Sequence, residues 1–383
     1  MTQKKSLTLS KKILFAFVVV VLFFMLLDRC LKVFEKIAEK ARENKENKAI
    51  SAMLSPQQIA EYRAATDLVV VPYLAFRMKP NFHSHTININ SFGFRGAEVS
   101  KEKPEGTFRI IIVGGSGAMG YGSSSDETAF PRVLEKLLNT ESRNKKFEVI
   151  NAGLASAISA QELVLIVTEL IDLKPDMVVI FDGFNDIVGS VINDRRPNYP
   201  WRFEMIEKAL KVSPTKLFLN KRLKNFRLTK LIMNRLEEKR KAESINKLSS
   251  NPAGVDAYLS NIRKMVRILR GLGIEPVVIL QPNLYFKKDP SEDEKYILAS
   301  EPPALQPIVK PMFINARERL AEMAKSDKFA FLDFMALYDP YPDTIFFDAV
   351  HVGDRGQAII ASAIFEAIKG FPFAKENLYG SKE

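Results

Sequence analysis

The chain has 383 residues, enough for a single α/β domain with additions or for two domains, and its 46% hydrophobic content is ample for a core. Lys and Arg number 56 against 45 Asp and Glu, a net charge of +11. A lone cysteine, Cys30, excludes an internal disulfide framework. With only His83, His85 and His351 and no Cys/His cluster at ligand spacing, the sequence argues against a zinc site and implies no cofactor.

Residues 13–27 are an uninterrupted apolar run of fifteen, preceded by Lys4, Lys5, Lys11 and Lys12. A spanning helix needs about 17–25 residues, and extension through Asp28, Arg29 and Cys30 to Phe34 supplies the length with charged heads snorkelling outward. A cleaved signal peptide wants small residues after the run; Met25-Leu26-Leu27-Asp28-Arg29 offers none, and Asp28 and Arg29 make Cys30 a poor lipoprotein site. The expectation is an uncleaved signal anchor over residues 1–34, a single-pass transmembrane helix. The short basic tail favours the cytoplasm, although residues 28–48 carry seven Lys and Arg of their own. That orientation puts the remainder in the periplasm or outside the cell.

Residues 28–50 mix charges at helical spacing and predict a solvated stalk helix. A subdomain of short strands over 56–105 follows, with a turn-rich Asn90-Ser91-Phe92-Gly93-Phe94-Arg95-Gly96 expected to pack beside the main domain. The alternate spacing of His83 and His85 predicts one face of a strand rather than a metal site.

From Phe108 onward, buried strands alternate with amphipathic helices. Strands are predicted at 108–113, 147–151, 176–182, 275–280 and 329–333, and helices near 126–139, 159–172, 255–271, 311–325 and 354–369. Short apolar runs between such helices predict a parallel sheet covered on both faces, a three-layer α/β/α sandwich over 106–375. An insertion interrupts it at 187–252, where 16 Lys and Arg face six acids, a net of +10. Its bland reading is a helical hairpin with a solvated charged side; its functional reading is a basic lid or an element that binds an anionic surface. Nucleic-acid binding fits poorly with an anchored chain lacking any recognisable module.

Three segments carry the chemistry: Gly114-Gly115-Ser116, Gly183-Phe184-Asn185-Asp186 and Asp348-Ala349-Val350-His351. Each is expected after a strand-like run, where open α/β sheets place ligands. They supply a serine nucleophile, an amide donor for an oxyanion, and a histidine base with a carboxylate to orient it. Singly, each has a bland alternative: Ser116 in a turn, Asn185 capping a helix that begins at Asp186, Asp348 as another cap. Jointly, in this order, they favour catalysis.

These segments resemble the conserved blocks of the SGNH, or GDSL, hydrolase superfamily, over residues 108–371. Gly183-Phe184-Asn185-Asp186 matches the G-x-N-D block and Asp348 to His351 the D-x-x-H block. The nucleophile block departs from Gly-Asp-Ser-Leu, with Gly115 for the Asp and Gly117 for the Leu. The remaining block is similar to Asn151-Ala152-Gly153-Leu154-Ala155-Ser156, with Ser156 standing where the family has its oxyanion glycine. The resemblance implies the flavodoxin-like sandwich, with Ser116, Asp348 and His351 as triad and Asn185 with the Ser156 N–H as oxyanion donors.

Gly115-Ser116-Gly117-Ala118-Met119-Gly120 also satisfies G-x-G-x-x-G. A dinucleotide site would need a helix opening inside the glycine run and an acid after the next strand. The helix is expected only near Asp126, and the next strand runs into Asn151-Ala152-Gly153. The expected activity is therefore a membrane-anchored serine esterase or deacylase acting on O-acyl, in particular acetyl, esters of an envelope glycan or lipid. An O-acyltransferase on the same triad and a non-catalytic binding protein with this fold stay open.

Overall fold

The computed structural model describes residues 53–192, 196–201 and 248–380, with isolated positions between 10 and 33 and at 203, 206 and 207. The chain forms two compact units, residues 1–48 with 208–243, and residues 49–207 with 244–383. The expected stalk, most of the anchor and most of the basic insertion lie outside the described residues. Among the described residues, no helix is long and apolar enough to cross a membrane. The elements below belong to the second unit.

Its first part holds α1 (Pro56–Ala65) and a small antiparallel pair, β1 (Val69–Val71) with β2 (Ala75–Arg77). Ser55 and Gln58 close a reciprocal cap on α1, satisfying two of its orphan N–H groups. His83 and His85 are exposed and outside any strand, contrary to the alternation reading. The Ser84 hydroxyl explains the difference: it bonds both the N–H and the carbonyl of Ile87, curling the segment into a turn.

The main sheet has five parallel strands in the order β4-β3-β5-β6-β7: β3 (Thr107–Gly114), β4 (Lys146–Asn151), β5 (Met177–Asp182), β6 (Glu275–Leu280) and β7 (Ala330–Asp333). Every residue of β3 and β5 is buried, and both read as near-continuous apolar runs, broken in β3 by Arg109 and closed in β5 by Asp182. Alternation then sorts them between two cores. Ile111, Val113, Val178, Ile180 and Leu280 face one layer, and Ile110, Ile112, Val179, Phe181 and Ile279 face the other.

The first layer contains α4 (Ser159–Leu165), α5 (Phe184–Ile192), α6 (Pro252–Gly271) and α8 (Leu305–Asp327). On the opposite face lie α3 (Phe130–Glu141) and α9 (Asp354–Gly370). This is the expected α/β/α arrangement, with all five predicted strands present. Two local corrections apply. The segment after β3 opens at once into a single turn, α2 (Ser116–Met119), inside the glycine run. The helix at 159 stays regular only to Leu165 and continues as a π turn over Ile166–Leu170.

A third core joins the first part of the unit to the main domain. Leu54, Tyr62, Met78 and Ile89 pack with Met119, Leu154 and Ala157, directly behind α2 and the loop after β4. Arg95, from the turn-rich segment, is buried at this seam. Its guanidinium donates to Asp126 Oδ1 (2.7 Å), Tyr62 Oη (2.9 Å), Gly120 O (2.8 Å) and Thr86 O (3.1 Å).

Candidate active site

Ser116 is the first residue of α2, so its N–H is one of the donors a helix N-terminus leaves without an intrahelical acceptor. The turn is sharp because its surroundings forbid bulk. A Cβ on Gly153 would stand 2.2 Å from the Met119 nitrogen, and one on Gly115 would stand 2.5 Å from Asn185 Nδ2. The Asn185 amide therefore leaves no room for a side chain at position 115.

His351 arrives from the loop between β7 and α9, not from a strand end. A bridge between Phe346 and Val352 closes that loop. At its tip Asp348 Oδ1 accepts the N–H groups of Val350 (2.8 Å) and His351 (2.7 Å), a tight side-chain turn that orients both residues. Asp348 Oδ2 lies 2.6 Å from His351 Nδ1, and His351 Nε2 lies 2.7 Å from Ser116 Oγ. Only one tautomer satisfies both contacts: Nδ1–H donates to Asp348 while Nε2 accepts the Ser116 hydroxyl proton. Burial pushes the Asp348 carboxyl up, but His351 and the two backbone N–H donors outweigh it and hold the carboxyl below its ordinary range. Tyr121 and Phe347 flank the imidazole, with ring centroids 4.8 and 5.8 Å away.

On the other side of Ser116 stands Asn185, in the first turn of α5 rather than capping it. One amide hydrogen goes to Ala157 O at 2.7 Å, leaving the second available. Ser156 sits in a turn closed by Ala157 N–H on Leu154 O. Its φ is +64°, the left-handed conformation that favours glycine. A serine thus occupies a backbone conformation that glycine adopts without strain. Ser116, His351 and Asp348 are thus joined by direct contacts, and Asn185 lies against Gly115 and bonds Ala157, the residue after Ser156.

The sequence reading missed what lies beneath. Asp182 ends β5, Glu162 is on α4, Asp186 on α5 and Tyr258 on α6, with exposures of 0, 2, 7 and 0%. Asp186 accepts Ser159 N–H (2.9 Å) and its hydroxyl (2.5 Å), tying α5 to the start of α4. No hydrogen bond of ordinary geometry reaches either oxygen of Glu162, either of Asp182 or the Tyr258 hydroxyl among the described residues, while Asp182 lies beside the Gly183 N–H and the Glu162 and Asp186 carboxyls. Burial, and then the neighbouring carboxylates, push Glu162 and Asp182 well above the usual carboxylate range. The available signal was Asp182 itself, an acid closing an otherwise apolar strand. Trp201 was missed too: its indole N–H donates to Asn185 O at 3.0 Å.

The dinucleotide alternative gains the helix it was expected to lack, but α2 is a single turn ended by Gly120 at φ +81°, and its first residue faces His351. Among the described residues, no group of three His, Cys, Asp or Glu is arranged to hold a metal ion.

No family model and no curated protein matches this sequence. The solved structures to which the chain is similar include a lipolytic protein of the G-D-S-L family from Desulfitobacterium hafniense, at 15% identity and TM-score 0.39, covering 67% of this chain and 98% of that one. An acetyl xylan esterase aligns at 14% identity and TM-score 0.43, over 68% of this chain and 99% of its own. An acetylxylan esterase from Geobacillus stearothermophilus aligns at 15% identity and TM-score 0.44, over 70% and 95%.

Proposed function

We propose that this protein is a serine ester hydrolase of the SGNH type that removes acyl groups, acetyl first among them, from an envelope glycan or lipid. The observation that carries this reading is the continuous chain Ser116 Oγ–His351 Nε2, His351 Nδ1–Asp348 Oδ2, at 2.7 and 2.6 Å, with Asn185 opposite. Ser116 Oγ attacks the ester carbonyl carbon as its proton passes to His351 Nε2. The carbonyl oxygen takes the displaced electron pair and faces the N–H groups of Ser116 and Ser156 and the amide of Asn185, each such donor contributing about 3–4 kcal/mol. Collapse expels the alcohol, which leaves with the His351 proton. Water, deprotonated by His351, then attacks the acyl-serine and releases the acid. Asp348 stays ionised and stabilises the imidazolium.

Membrane anchoring through the N-terminal apolar run belongs to the same proposal, with the catalytic unit in the periplasm or outside the cell. Its support is that Phe15, Phe17, Leu22, Phe23 and Leu26 are all exposed, as on a helix that is apolar all round. The basic insertion is proposed to rest on an anionic surface, each Lys or Arg adding about 1 kcal/mol at low salt. Flotation of a chain starting at Ser51 with anionic, but not neutral, liposomes checks that part; absence of binding to either removes it.

The central test is a chromogenic acetyl ester, offered to the purified protein with and without oligosaccharide acceptors. Hydrolysis alone is the expected result. Acceptor-dependent acetylation would make the protein an O-acyltransferase on the same triad, and no turnover in either arm would leave a binding protein.

A further inference from the structure

We propose that Glu162 and Asp182 share a proton, with Tyr258 as second donor, and that this singly protonated buried network holds Asn185 and the Ser156 turn in position. The inference deepens the hydrolase reading and rests on it for its catalytic consequence, but not for its existence.

An ionised carboxylate only accepts hydrogen bonds. Among the described residues, no hydrogen bond of ordinary geometry reaches these four carboxylate oxygens or the phenol hydroxyl, and a doubly ionised pair has no donor of its own to offer. One proton changes this. A Glu162–Asp182 pair with a single hydrogen becomes donor and acceptor, and the Tyr258 hydroxyl donates to what remains. The charged groups facing Glu162 are Asp182 and Asp186; those facing Asp182 are Glu162 and Asp186. Tyr258 from α6 faces all three acids, and burial with their charge keeps its hydroxyl protonated. No Lys, Arg or His is among these groups, so within the described residues the counter-charge offered to them is a proton. Two buried like charges cannot both persist at short range, and the pair titrates as a unit.

The network has a route to the reacting centre. Asp182 is followed by Gly183-Phe184-Asn185, so its placement sets the start of α5. A Cβ on Gly183 would stand 3.4 Å from Tyr258 Oη, which puts that hydroxyl against the turn. Asp186, one residue after Asn185, grips Ser159 through two bonds, and Asn261 on α6 donates to Ser159 Oγ at 3.0 Å. Ser159 is three residues beyond Ser156. Both oxyanion donors are therefore fixed to one protonated core, and the residues involved act by positioning rather than by touching substrate.

The sign follows from the proton count. Above the ordinary carboxylate range near pH 4, the folded state holds a proton that the unfolded state lacks. Stability therefore falls as pH rises, with up to a tenfold loss in the folding constant per pH unit until the network ionises. Glu162→Gln supplies an amide where the acid carries its proton and should flatten this slope. The experiment is thermal melting of the full chain across pH 5 to 9, wild type beside Glu162→Gln and Asp182→Asn, with the rate of fluorophosphonate labelling at Ser116 followed in parallel. The expected result is a wild-type melting temperature that declines with pH, a shallower decline in Glu162→Gln, and wild-type labelling that slows at alkaline pH more than that of the variant. Parallel melting curves for wild type and both variants would overturn the shared proton. If a variant fails to fold, infrared detection of a protonated carboxyl band in the wild type decides, and its absence at neutral pH overturns the proposal. Absence of any labelling with the melting slopes as expected would defeat the hydrolase reading and leave the network standing.

Discussion

The two sides of the proposed site, base and oxyanion donors, are built in opposite ways. The base side is local: Asp348 and His351 are three residues apart, the carboxylate organises its own turn, and both side chains reach solvent, at 45 and 16% exposure. The oxyanion side is assembled from distant pieces. Asn185 depends on Gly115, Ala157 and Trp201, and the Ser156 turn leans on a core that includes Leu54 and Tyr62. A charge-assisted chain can hold a base without much packing, because its bonds are short and directional. A backbone donor has no such bond of its own and must be placed by the fold.

This contrast predicts where damage falls. Ser116→Ala breaks the chain at its reacting end and should remove turnover by roughly 10⁶-fold while folding is intact, because members of such a unit fail together. Fluorophosphonate labelling must vanish with it; labelling that persists would move the nucleophile elsewhere. His351→Ala should cost nearly as much, since His83 and His85 are exposed residues of a remote turn and offer no substitute. Asp348→Asn keeps the turn's shape but loses the charge and the correct tautomer, for a drop of about 10⁴ in kcat.

On the oxyanion side each effect should be smaller and should read out differently. Asn185→Ala removes one donor acting on the transition state, so kcat should fall about 10²–10³-fold with little change in KM. A pure KM effect would instead assign Asn185 to substrate binding. Tyr62→Phe lies farther back. It removes a hydroxyl bonded to Ser123 O (2.7 Å) and to Arg95 (2.9 Å), and should cost about 1–3 kcal/mol of stability, read by denaturant melting. A kcat change smaller than tenfold is expected, because the Arg95 guanidinium still grips Gly120 O.

The same contrast explains how much could be read from the sequence. The three central strands announced themselves as short apolar runs because they are buried on both faces, whereas the edge strands β4 and β7 are only partly buried and carry shorter apolar stretches. The proposed triad was legible because its members lie in short segments, with the spacing of Asp348 and His351 set by a local turn. The α2 helix was not, since a glycine-rich stretch has no helical propensity and forms a turn here only because β5 and the Gly153 segment enclose it. His83 and His85 misled for a related reason: a two-residue alternation is too short to outweigh one serine hydroxyl bonding the backbone. Trp201 and Arg95 act through contacts with residues 16 and 31 positions away, and Glu162 meets Asp182 only in the fold, so no local pattern marks such neighbours.

The smallest effect is also the sharpest test of the oxyanion side. Ser156 holds φ at +64°, which for a residue with a Cβ costs about 1–2 kcal/mol. Ser156→Gly removes that cost but loosens the unfolded chain, which returns about 0.4–1 kcal/mol. The net expectation is a gain of about 0.5 kcal/mol, seen as a slightly higher melting temperature. Because the backbone N–H is retained, kcat should stay within about twofold of wild type. Ser156→Ala supplies the control, since it keeps the strained backbone and loses only the hydroxyl. If both variants lost tenfold or more in kcat with KM unchanged, the hydroxyl of Ser156 rather than its N–H would be the donor. The departure from glycine would then be a change in chemistry. If only Ser156→Gly lost activity, the rigidity of the strained turn would be what places the N–H.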